Sequence, residues 1–186
     1  AYFATENYAA AMPMLRQALS YDNKQFNLLF YLADSSFFRN EFRQAEPQYW
    51  QLEKYADNDN QKLQVYNRLL SISIKRDDEV GIKQVSAKID QLGDITEPIL
   101  QAEYFKNLGI IQFLENNCRE ADKSFQKSLT VNHVYKSEIL YYQALCLKQT
   151  NPLLMQSKLN AYIQNESSKR YKDVNYMQAS ELLMKK

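Results

Sequence analysis

Five positions recur along this chain at a near-constant interval. Ala11, Ala45, Gly81, Ala121 and Met155 are spaced 34, 36, 40 and 34 residues apart, and all but the last are small. Each opens a run with apolar residues at helical spacing: Ala11 and Leu15, Ala45 and Tyr49, Gly81 and Val85, Ala121 and Phe125, Met155 and Leu159. Such a period allows few folds. One pair of helices cannot bury its own apolar face, so successive pairs must stack on each other. Proline supports the register. Pro13 and Pro47 each follow a marker by two residues. That predicts both in the first turn of a second helix, where the amide has no intrahelical partner to lose. Pro152 is expected to open the last second helix, with Asn151 or Thr150 as its cap. The two longer spacings are assigned to the turns at Asp77-Asp78 and Gly93-Asp94.

The stretch from Phe105 to Leu129, FKNLGIIQFLENNCREADKSFQKSL, shows the unit in full. Phe105 is the large residue, Leu108-Gly109 follow, and Ala121 with Phe125 supply an Ala-x3-Phe pair. This pattern resembles the tetratricopeptide repeat, whose period is about 34 residues. Gln112 stands where the family has an aromatic, and the closing proline is replaced near His133. Small residues in such a unit lie where two helices approach closely, and the large ones fill the space between pairs. The resemblance implies an all-α fold, a right-handed α-α superhelix of about five helix-turn-helix units forming a single solenoid over 1–186. The units are read as a partial one over 1–23, full ones over 24–57, 58–96, 97–133 and 134–168, and a closing helix over 170–185. Since 1–23 holds only a second helix, a mature chain or a fragment of a larger protein is expected.

Composition narrows the function. With 23 basic and 22 acidic residues the net charge is +1, which lacks the concentrated basic face that phosphate binding needs, so no nucleic acid is expected as partner. No apolar run reaches the length of a membrane span. His133 is the only histidine and the three glycines are far apart, so neither a histidine-based catalytic or zinc site nor a phosphate loop is expected. Asp77-Asp78-Glu79 reads as an acidic helix start rather than a metal site. No enzyme activity, cofactor or metal is expected. Cys118 and Cys146 are too few for a disulfide scaffold. Buried free thiols are the first expectation, with a single bridge between adjacent helices as the alternative.

In the family it resembles, first helices line a concave groove. That implies a partner-binding set of Phe30, Asp34, Phe37 and Phe38 in the second unit and Asn67 and Ser71 in the third. Lys106, Ile110 and Phe113 follow in the fourth, and Tyr141 in the fifth. The Lys and Asn pairs with which some family members clamp a chaperone's terminal carboxylate are absent. Phe30, Phe37 and Phe38 are read as an apolar anchor for a peptide or helix. The function expected is a non-catalytic scaffold binding another protein or peptide, or else the docking region of a larger enzyme or secretion machine. The segments LLFYLADSSFFRNEFRQAEPQYWQLEKY and ILYYQALCLKQTNPLLMQSKLNAYIQN resemble bacterial envelope helper proteins, among them outer-membrane assembly lipoproteins and Tol-system periplasmic proteins. Of a periplasmic and a cytoplasmic setting, that likeness favours the bacterial periplasm.

Overall fold

Three turns built alike set the geometry of this chain. A computed structural model describes residues 7–21, 25–166 and 174–184. Among these residues the fold is all-α, with no strand. The helices are α1 (Tyr8–Tyr21), α2 (Phe26–Phe38), α3 (Phe42–Leu52), α4 (Asp59–Lys75) and α5 (Glu79–Ile89), then α6 (Pro98–Leu114), α7 (Cys118–Val131), α8 (Lys136–Cys146), α9 (Pro152–Glu166) and α10 (Val174–Met184). None is long and apolar enough to cross a membrane. The chain divides into two compact units, Ala1–Thr96 and Glu97–Lys186.

The turns after α2, α4 and α6 each place one Asn or Asp in the left-handed region: Asn40 at φ 61°, Asp77 at φ 53° and Asn116 at φ 59°. These residue types tolerate that conformation because their short polar side chains bond locally. In each turn the next amide reaches back to close the helix, Glu41 to the Ser36 carbonyl, Asp78 to that of Ser73 and Asn117 to that of Gln112, at 2.8–2.9 Å. This is the 6→1 bond of a Schellman end. The following helix starts at once. The side chains of Asp78, Asn117 and Asn151 accept the amides of Gly81, Glu120 and Leu154 as N-caps. Asp77-Asp78 therefore holds no inserted residues; its turn matches the other two. The extra length sits in α4 and α6, 17 residues each against 13 for α2, and between hairpins, in the 3₁₀ turn Glu53–Tyr55 and in residues 90–97.

The marker residues fall in one register. Ala11, Ala45, Ala121 and Met155 are each the fourth residue of α1, α3, α7 and α9, and all four are buried. Gly81 is the third residue of α5. A Cβ there would lie 2.5 Å from Ser73 Oγ, so the close approach to α4 is real although the register is one residue early. Gly109 has the same role in α6: the Phe125 ring lies where its Cβ would be. Pro13 and Pro47 are also equivalent, but each is the sixth residue of its helix. Both helices start earlier than the first-turn assignment requires, so each proline removes a real intrahelical bond. The carbonyls left over belong to Ala9 and Arg43, which are exposed as both prolines are.

In the first unit α4 is buried nearly all round, through Leu63, Val65, Tyr66, Leu69, Leu70 and Ile72. In the second, Phe125 and Ala121 fill the seam between α6 and α7, while Tyr141, Ala144, Met155, Leu159, Tyr162 and Ala179 form a core of α8, α9 and α10. Several bonds join residues about one repeat apart within a unit. Arg68 to Asp34 spans 34 residues, Lys88 to Glu53 spans 35, and Tyr141 to Gln178 spans 37. Of the closing stretch expected over 170–185, residues 170–173 and 185 lie outside the described residues.

Candidate functional site: the aromatic face of α2

The sequence of α2, FNLLFYLADSSFF, is rich in aromatics on more than one side. Its inner rings pack around a cation that belongs to the protein itself. The Arg68 guanidinium, from α4, lies 5.8, 5.5 and 5.6 Å from the ring centroids of Phe30, Phe37 and Phe38. Its Nε donates to Asp34 Oδ1 at 2.9 Å, and the Tyr49 hydroxyl donates to the same oxygen. Phe30 and Phe37 also lie against the Tyr49 ring, at 5.7 and 6.4 Å. A buried carboxylate is costly unless paired and hydrogen-bonded; here Asp34 has both a cation and a phenol.

This packing changes the depth of the expected groove wall. Phe30, Asp34, Phe37, Asn67, Ser71, Lys106, Ile110 and Tyr141 are buried in the structure. The physical reason is that neighbouring helices cover them. Lys106 pairs with Glu138 at 3.2 Å and lies 5.3 Å from the Tyr135 ring. Tyr141 donates to Gln178 on α10 at 2.5 Å. Phe113 is half-buried, 5.4 Å from Tyr142. Of the expected set, Phe38 alone is exposed, at 42%. It stacks on Tyr8 of α1 at 4.9 Å. The anchor trio therefore splits: Phe30 and Phe37 are core, and Phe38 keeps a wet face. Periodicity within one helix could not show this, because the rings that cover Phe37, those of Phe42 and Tyr49, come from α3.

Two more residues complete the face: Asn27, which the resemblance also places on the groove side of the second unit, and Tyr31, which sequence reading passed over. Tyr31, 43% exposed, lies seven residues before Phe38 on the same side of α2, and Asn27 is exposed one turn earlier. Their spacing of four and seven residues is the signal that marked them. Arg68 had a signal too, since it lies one repeat period beyond Asp34.

A second polar tie sits at the end of α3. Lys88 of α5 and Tyr66 of α4 both donate to Glu53 Oε1, at 2.6 and 2.8 Å. Burial alone would raise the Glu53 carboxyl, but the bonds from Lys88 and Tyr66 with the Lys88 charge outweigh it and hold the group below its ordinary value. Burial, and then the bond to Glu53, push the Tyr66 phenol up. Lys88 also lies 5.8 Å from the Trp50 ring, so the only tryptophan packs towards the next hairpin.

Cys118 and Cys146 are joined in a disulfide, with Cα atoms 5.6 Å apart. The free-thiol expectation is corrected to its alternative. The two helices meet end to end, the start of α7 against the end of α8, which a helical wheel of either one does not reveal. Asp78 of the acidic run caps α5, and His133 is exposed between α7 and α8. Against family models, curated proteins and solved structures the chain matches nothing.

Proposed function

We propose that this chain is a non-catalytic scaffold of tetratricopeptide-type hairpins, in which the faces of first helices take up a peptide or a segment of another protein. The observation that carries the reading is the pair Tyr31 and Phe38. They are large aromatic side chains, each more than two-fifths exposed on one side of a first helix. The internal Arg68 cluster holds Phe38 from beneath, so the ring is presented at little entropic cost. Rigid aromatics backed by packed neighbours are what binding hot spots are made of. The hairpin type is supported by the three like turns, by the common register of the buried markers and by bonds that recur one period apart. The disulfide supports an oxidising compartment.

The test is quantitative affinity capture with the double substitution Tyr31→Ala and Phe38→Ala. Capture of the partner set should fall about tenfold or more, with far-ultraviolet circular dichroism unchanged. Phe37→Ala, in the same helix but buried, should instead lower the melting temperature. Capture unaffected by the double substitution would remove the α2 face from the binding surface. Loss of helicity in that variant would make the two rings core residues and end the reading.

A further inference from the structure

Cys118 is the first residue of α7 and Cys146 the last of α8. Both are half-buried, and both line a groove of about 490 Å³ between α7, α8 and α9. Its walls carry two cations, Arg119 and Lys158, with Phe125 and Leu154 as apolar surface. The one carboxylate, Asp122, accepts from Gln143 Nε2 at 2.7 Å, and Gln143 in turn accepts from Lys158 Nζ at 2.9 Å. The groove thus brings a cationic rim and room for a small peptide to an S–S bond.

The two sulfurs are not equivalent as leaving groups. Negative charge released on Cys118 arises at a helix start, where unpaired amides and the helix dipole stabilise it. Charge released on Cys146 would arise at a helix end, among carbonyls. Exchange runs faster when the better-stabilised thiolate departs.

We propose that Cys118–Cys146 is a thiol-exchange site for a small anionic thiol bound in this groove, with Cys146 as the sulfur attacked. The incoming thiolate RS⁻ forms a bond to Cys146 Sγ. The Cys118–Cys146 bond breaks, and its electron pair leaves on Cys118 as thiolate. The product is RS–S–Cys146. Return of Cys118 restores the bridge and releases RS⁻. Attack by a second RS⁻ on the mixed disulfide instead gives RSSR and the Cys146 thiolate. The thiol is the only co-reactant.

The whole chain is incubated with reduced glutathione, an anionic peptide thiol, quenched with an alkylating agent at short times and mapped by mass spectrometry. Glutathione on Cys146 with the alkyl group on Cys118 is the expected pattern. The double substitution Arg119→Glu and Lys158→Glu should slow exchange with glutathione about tenfold more than exchange with 2-mercaptoethanol, which carries no charge beyond its attacking thiolate. The 2-mercaptoethanol rate also reports whether the variant keeps its fold around the bridge. The proposal is overturned by an adduct on Cys118, by equal slowing of both thiols, or by exchange only in denaturant, which is the behaviour of a purely structural staple.

Discussion

The two compact units solve one problem by different means. Each fastens a helical hairpin to its neighbour with side chains that cross the seam. The first, Ala1–Thr96, does it without covalent help. Arg68 reaches from α4 into the rings of α2 and pairs with Asp34, and Lys88 reaches from α5 to Glu53. The second, Glu97–Lys186, pairs Lys106 with Glu138 and adds the Cys118–Cys146 bridge. In both units a cation from a neighbouring hairpin is received on an aromatic face. α2 supplies one and becomes a candidate binding surface on its outer side, whereas α8 turns Tyr141 inward onto Tyr162.

The comparison can be broken where the difference is largest. Arg68→Ala leaves the Asp34 carboxylate buried without its cation, at a cost of about 3–4 kcal/mol. Hydrogen exchange should then speed up in α2 and α4 while α6 to α10 keep their protection; uniform loss would mean the plug is not local to its unit. The joint substitution Cys118→Ser and Cys146→Ser should act the other way. It frees a loop of 28 residues and lowers the stability of the second unit by about 3 kcal/mol on the chain-entropy account. A melting temperature changed by less than 2 °C would contradict that, since about 3 kcal/mol corresponds to roughly 10 °C or more in a domain of this size.

Gly109→Leu sharpens the account of the α6–α7 seam. The new side chain must displace the Phe125 ring. A net loss of about 2 kcal/mol is expected after the gain in helix propensity, and denaturant titration reads it. An unchanged midpoint would place the ring elsewhere. The smallest effect concerns acid. Glu53 titrates lower in the folded chain than its reference value of 4.5. Its contribution is therefore complete above that value and is lost as the pH falls through the folded one. Glu53→Gln should flatten the acid limb of the first unit's stability curve below about pH 4.5. A curve of unchanged slope would show that the Lys88 bond contributes nothing there.

The helical class and the hairpin register were legible because they depend on local spacing. Ala45, Ala121 and Phe125 repeat a pattern that any helix of this type must carry, and Gly109 is small for the reason the pattern suggests. The proline assignment missed by a turn because apolar periodicity does not locate a helix start: Asn7 caps α1, while Glu41 before α3 makes no side-chain cap bond. The candidate site was only half legible. Phe37 and Phe38 are adjacent in sequence and alike in chemistry; what separates them is the neighbouring helix, since Phe37 lies against Phe42 and Tyr49 of α3 whereas Phe38 stacks on Tyr8 of α1. The disulfide was equally hidden, since bringing Cys118 to Cys146 depends on where two helix ends meet.

The most direct test of the binding account is site-specific photo-crosslinking. A photoreactive phenylalanine analogue is placed at Phe38 on α2, and in a second protein at Val80 on α5, which is 75% exposed but on a second helix. The account predicts one discrete crosslinked partner from position 38 and none from position 80. A partner captured only from position 80, or equally from both, would contradict it.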